Sequence, residues 1–302
     1  MCKITVIGAG NLGSCIAYEM ANRGLAEEIV LIDVVRDLAE GNAEDIKQSI
    51  AFRNNTDVHA GDHNDAEGSD IIIVAAGKPR SPGMKSRFEL LEVNGNIIKD
   101  VARGLKNVGG EPIIITLTNP VDVMNYLMWR YSGLPRNRVM GSAGMLDSAR
   151  FRSVLSRKYS APVLDVEAYV IGEHGDNQVP VFSRVKIGGE KIVFSEREKN
   201  EIAEDLKKAA STVISKKGAT VYAPANNTVN MIEKILKDGE DLCICSAILE
   251  GEYNLKDVSI GVPAIVGRKG IEKILEWDLN DEEKRIFYLG AENIRKAIES
   301  IL

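Results

Sequence analysis

The chain has 302 residues, 27% of them charged and 44% hydrophobic, which is enough apolar material for a large core and excludes a disordered or fibrous repeat chain. Lys and Arg number 38 against 44 Asp and Glu, a net charge of −6 with no basic stripe to offset it. That balance argues against nucleic acid as the main partner, but small anions stay open because a few arginines in a cleft outweigh the global sign.

The start, Met1-Cys2-Lys3-Ile4-Thr5-Val6-Ile7, runs straight into an alternating β-branched stretch and reads as a chain without an export signal. The longest apolar runs, such as 71–77, fall far short of the roughly 20 residues that span a bilayer. Cys2, Cys15, Cys243 and Cys245 form no CxxC pair and read as small core or semi-buried residues, so the expected compartment is a reducing cytoplasm.

In chain order, strand-like runs fall at 3–7, 29–32, 71–75, 113–117 and 139–140, with a weaker one near Val58. Between them, Leu12, Ile16 and Met20, and later Ile97, Val101 and Leu105, recur at helical spacing. Strands that are apolar on both faces, as in Ile71-Ile72-Ile73-Val74, predict the middle of a parallel sheet covered by helices, hence an α/β, doubly wound fold. The second half groups its strands at 166–171 and 179–187, followed by a long helix over 196–217 with Ile202, Leu206, Ala209 and Val213 inward. Runs at 242–249 and 258–266 and an amphipathic helix from about Asp281 complete an α+β unit. With no Pro- or Ser-rich linker, the expected division is 1–142 and 143–302 across a packed junction.

Gly8-Ala9-Gly10-Asn11-Leu12-Gly13 is a GxGxxG placed directly after a predicted strand and opening a predicted helix. Gly8 permits the tight turn, Gly10 lets backbone approach a pyrophosphate, Gly13 lets helix pack on strand, and the helix N-terminus at Asn11 and Leu12 supplies amide donors. This predicts a Rossmann-type dinucleotide site. Asp33 lies 20 residues beyond Gly13 at the end of the second strand, where a carboxylate accepts the ribose hydroxyls and favours NAD. Asp33 could also cap the next helix, and Arg36 keeps NADP in view.

Further on, Ile171-Gly172-Glu173-His174-Gly175-Asp176 puts a histidine between glycines just past a strand. Met145-Leu146-Asp147-Ser148-Ala149-Arg150-Phe151 puts a carboxylate and a guanidinium on one helix face, although each alone reads equally as a first-turn acid and a surface ion pair. His59 and His63 beside Asp62 and Asp65 suggest a metal site, but Gly61 and Asn64 favour a turn, and no metal is expected.

Through GAGNLG, LTNPVDVM, MLDSARF and IGEHGD, the chain resembles the lactate/malate dehydrogenase family over essentially its whole length, above all its lactate-dehydrogenase-like malate enzymes. The resemblance implies that His174 is the proton donor and acceptor, Asp147 its partner carboxylate and Arg150 the clamp for the substrate carboxylate. It implies that Asn119 serves both cofactor and substrate, that Leu117 and Asn94 belong to the cofactor site, and that Thr220 lines the substrate pocket, where it could equally be a helix cap. It also implies a dimer or tetramer.

In similar enzymes the loop Gly77-Lys78-Pro79-Arg80-Ser81-Pro82-Gly83-Met84-Lys85-Ser86-Arg87 closes over the substrate. Its second arginine, here Arg87, polarises the carbonyl, and the first selects dicarboxylates. The RxPGM register makes Arg80 the selector and malate/oxaloacetate the expected pair, although the segment before Arg87 is one residue longer than the family pattern. Counted back from Arg87, Ser81 takes the selector's place, and lactate/pyruvate, or a dual-substrate 2-hydroxy acid dehydrogenase, becomes the alternative. A dehydrogenase for another ketone, or a non-catalytic NADH sensor, accounts for the nucleotide motif but not for IGEHGD.

Overall fold

The structure, a computed structural model, describes residues 2–78, 87–106 and 108–302. The first half builds β1 (Lys3–Ile7), α1 (Asn11–Arg23), β2 (Glu28–Ile32), α2 (Arg36–Ser49), β3 (Asp57–Ala60), β4 (Ile71–Val74), α3 (Arg87–Leu105), β5 (Ile113–Thr116), α4 (Val121–Ser132) and β6 (Val139–Gly141). These six strands are parallel and ordered β3-β2-β1-β4-β5-β6. The order reverses between β1 and β4, which opens a crevice at the carboxyl ends of the strands. Ile113, Ile114 and Ile115 of β5 are all buried, each contributing about 1.5–3 kcal/mol of transfer free energy, which is why this strand sits mid-sheet between two helical layers.

The second half follows with α5 (Gly144–Tyr159), β7 (Val166–Glu167), β8 (Val170–Gly172), β9 (Gln178–Pro180), β10 (Lys186–Ile187), β11 (Glu190–Lys191), α6 (Glu196–Lys217) and α7 (Tyr222–Lys237). It ends with β12 (Asp241–Glu250), β13 (Lys256–Gly267), β14 (Gly270–Ile274) and α8 (Asp281–Glu299). The sheet runs on past β6, where Ser246 of β12 pairs antiparallel with Gly141, and then through β13 to β8 and β9. One hydrophobic cluster therefore spans both halves, while Phe151, Val154, Leu155, Val166, Val170 and Ile202 belong to a smaller one. Helices α6 and α8 begin at capping boxes, Ser195 with Glu198 and Asn280 with Glu283, which satisfy their orphan amides.

Three expectations of the second half are corrected. The run 166–171 is two strands: β7 joins a small sheet with β10 and β11, whereas β8 joins the large one; Val166 of β7 serves the small core, and within β8 the side chains divide, Val170 facing the small core and Ile171 the large. The run 179–187 breaks after Pro180, which has no amide for a ladder, and a 3-10 turn at Phe182–Arg184 carries the chain to β10. In α6, Ile202 and Leu206 are buried but Val213 is 37% exposed, so the inward stripe does not run the length of the helix.

All four cysteines are free thiols. Among the described residues no helix is long and apolar enough to cross a membrane, and no group of three His, Cys, Asp or Glu is placed to hold a metal. The segment around His63 is a short 3-10 turn in which Asp62 and Asp65 cap each other.

Candidate active site

The nucleotide end is built from backbone. Gly8 has φ +100°, and a Cβ there would lie 2.5 Å from the Ala76 nitrogen; at Gly13 it would lie 1.8 Å from the Gly8 oxygen. Gly10, the N-cap of α1, has no atom of the described residues beyond its chain neighbours within 4 Å of such a Cβ, so among them the space in front of it is open. No side chain caps α1 and no acid stands in its first turn, so Asn11, Leu12 and Gly13 present amides toward that space.

Asp33 accepts from the Ala9 amide at 2.7 Å and the Val35 amide at 2.9 Å, so it braces the glycine turn from β2. Val35, not Asp33, is the N-cap of α2. Arg36 bonds Glu40 one turn along α2, away from the Asp33 carboxylate.

The substrate end is built from side chains holding side chains. Asp147, in the first turn of α5 and 4% exposed, gives one oxygen to His174 Nδ1 at 2.6 Å and the other to Arg150 Nη1 at 2.9 Å. Histidine, carboxylate and guanidinium thus come together from two segments that the sequence separates. Burial opposes the His174 imidazolium, but the charge of Asp147 and its hydrogen bond, reinforced by Asp122, outweigh it and hold the ring's pKa above its ordinary 6.5. With Nδ1 engaged, Nε2 is the ring atom left to exchange a proton.

Behind His174 lies a residue that motif reading passed over. Asp122, 3% exposed in the first turn of α4, accepts the His174 backbone amide at 2.8 Å and the Ser246 hydroxyl at 2.6 Å. Burial pushes its carboxyl up to about 6, against the Ser246 and His174 hydrogen bonds that favour the charged form. A carboxylate inside the apolar run Val121-Asp122-Val123-Met124 was the available signal, because a buried acid needs partners.

Asn94, 1% exposed on α3, accepts from the Lys78 amide and donates to the carbonyls of Lys78 and Asn119. Its polar atoms are thus spent on the two turns that border the crevice, and its contribution is their shape. Leu117 is buried behind β5, and Asn119 is exposed at that strand's carboxyl end. Thr220 does not cap α7, and its hydroxyl is buried without a partner. Arg80 lies outside the described residues; Arg87 opens α3, and its side chain lies outside them too.

A family profile for the NAD binding domain of lactate/malate dehydrogenase matches residues 2–141, and one for that family's alpha/beta C-terminal domain matches 144–302. The chain belongs to the lactate/malate dehydrogenase family. It is 40% identical over 308 residues to L-lactate dehydrogenase 1 of Clostridium acetobutylicum, covering 99% of this chain and 98% of that one. It is also 40% identical over 304 residues to the malate dehydrogenase of Natronomonas pharaonis, covering all of both. Among solved structures, the minor L-lactate dehydrogenase of Enterococcus mundtii matches with a TM-score of 0.96 and 32% identity, over 100% of this chain and 98% of that one.

As a member of this family the chain is an oxidoreductase that uses NAD, and the crevice fits that cofactor. The open face of Gly10 and the uncapped amides of α1 suit a pyrophosphate, and the Asp33 carboxylate at the end of β2 suits a ribose diol.

Proposed function

We propose that the chain is an NAD-dependent malate dehydrogenase that interconverts malate and oxaloacetate. NAD supplies the hydride acceptor, and NADH the donor. In the reductive direction, His174 Nε2 gives its proton to the carbonyl oxygen as negative charge gathers there, while Asp147 fixes the tautomer and stabilises the imidazolium. Arg150 grips the substrate carboxylate through parallel hydrogen bonds, which sets the face the ketone presents, and Asn119 and Thr220 complete the pocket. Gly8, Gly10, Asn11, Leu12, Gly13 and Asp33 hold the cofactor, with Leu117 and Asn94 shaping its far side. Residues 1–142 carry the nucleotide end and 143–302 the substrate end.

The observation that carries the chemistry is the Asp147 carboxylate shared between His174 and Arg150, since a sensor has no use for an imidazole whose cation is favoured beside a carboxylate clamp. The choice of acid rests on Arg80 in the Arg80-Ser81-Pro82-Gly83-Met84 register. Under a closed loop, pyruvate would leave that arginine buried without a partner, at a cost on the order of 3–5 kcal/mol, whereas the second carboxylate of oxaloacetate pairs it. Lactate dehydrogenase is the second reading, favoured by the longer loop that brings Ser81 into register and by the lactate-named relative at 40% identity.

We also propose a homo-oligomer, supported by exposed apolar side chains such as Leu38 on α2, Ile214 on α6 and Tyr222 on α7. The deciding experiment is NADH oxidation with oxaloacetate and pyruvate side by side, repeated with NADPH. Higher kcat/KM for oxaloacetate supports the malate reading, higher kcat/KM for pyruvate supports the lactate one, and turnover of neither overturns both.

A further inference from the structure

His174 is held at two points by two helices. Asp147 of α5 takes the ring, and Asp122 of α4 takes the backbone amide of the same residue. The second strap runs on, because the other oxygen of Asp122 accepts the Ser246 hydroxyl of β12. One turn along α4, Asn125 donates to the Ser246 carbonyl and to the Ser259 hydroxyl of β13. The first turn of α4, β12, β13 and the His174 loop are thus one buried hydrogen-bonded unit. Asn119 lies immediately before that turn, so the same unit sets the distance between Asn119 and His174.

We propose that Asp122 is a positioning residue for the reaction: it anchors the loop of His174 to the start of α4, and its negative charge helps retain the His174 proton. The proposal rests on the reading of His174 as the acid and base. The charged groups facing His174 are Asp147 and Arg150 from α5, Asp122 from α4, and Glu173 next to it in the chain, whose carboxylate bonds Asn177. Of these, Asp147 and Asp122 favour the imidazolium and Arg150 opposes it. Loss of the Asp122 charge therefore lowers the pH at which His174 gives up its proton. Asp122→Asn keeps an oxygen for the His174 amide but removes that charge.

The test is kcat/KM against pH for 2-oxo acid reduction, using whichever of oxaloacetate and pyruvate the wild type turns over, with NADH binding read by fluorescence. Asp122→Asn is expected to move the alkaline limb down by about half a pH unit and to leave the NADH dissociation constant within about twofold. A lowered plateau with an unmoved limb is what a merely structural role gives, and it overturns the proposal. Should Asp122→Asn fail to fold, Ser246→Ala carries the test, since it frees the anchor's carboxylate from β12, and so loosens its hold on the His174 loop, while sparing the charge. A fall in kcat of about threefold or more with KM for NADH and Tm unchanged upholds the anchor, and wild-type kcat overturns it. His174→Ala separates the two readings: if it retains turnover, the acid–base reading fails and this proposal with it. An inactive His174→Ala beside an unmoved Asp122→Asn limb sinks this proposal alone.

Discussion

At the nucleotide end of the crevice, Gly8, Gly10 and Gly13 offer backbone and empty space, whereas at the substrate end His174, Asp147 and Arg150 offer side chains, each oriented by another. The first arrangement is spoiled by adding atoms and the second by removing them. That asymmetry orders the mutations. His174→Ala is expected to lower kcat by about 10²–10⁴-fold while NADH still binds, because the cofactor cradle contains no part of the imidazole. Comparable losses in kcat and in NADH affinity would erase the distinction between the two ends.

The cradle itself divides further. In Gly13→Ala the new methyl meets the Gly8 oxygen, and overpacking of this kind costs about 1–3 kcal/mol in urea unfolding. In Gly10→Ala the methyl meets no atom of the described residues beyond its chain neighbours, so stability should hold and only NADH affinity should fall. A drop in the urea midpoint for Gly10→Ala would show that the open space is not what the glycine preserves.

Smaller effects sharpen the choice of ligands. Arg80→Gln should shift the oxaloacetate-to-pyruvate efficiency ratio toward pyruvate by at least tenfold, about 1.4 kcal/mol; a smaller shift places the selector elsewhere. Asp33→Ser should narrow the preference for NAD over NADP by several-fold, since it removes the carboxylate that repels a 2′-phosphate while Arg36 stays engaged with Glu40. Unchanged kinetics with both cofactors would remove Asp33 from the ribose site.

The two ends also differ in how far the sequence exposes them. The glycine turn and Asp33 are legible because a parallel strand, a turn and a helix are contiguous, and the apolar runs of β1, β2, β4 and β5 leave one place for them. The substrate end depends on contacts across 27 residues between Asp147 and His174 and 124 between Asp122 and Ser246, which spacing does not encode. Family resemblance brings Asp147 to His174, but Asp122 reads as one more residue of an apolar helix until the fold sets it under the loop. The splitting of 166–171 is hidden for the same reason: Val166 and Ile171 are alike in chemistry and differ only in which core they serve. Val213 continues the helical period of Ile202 and Leu206 yet is exposed, because period says which residues share a face and not how far along the helix that face is covered.

The central claim, that a carboxylate keeps the His174 imidazole protonated for delivery to the substrate oxygen, is open to one direct measurement. Reduction requires the imidazolium, so its rate falls as pH rises through a His174 pKa that lies above 6.5, and oxidation, which requires the neutral ring, falls on the acid side of the same value. In Asp147→Asn the amide no longer favours the cation, and the alkaline limb of kcat/KM for reduction should move down by about one pH unit or more with NADH affinity unchanged. A limb that stays at its wild-type position in Asp147→Asn would contradict the account.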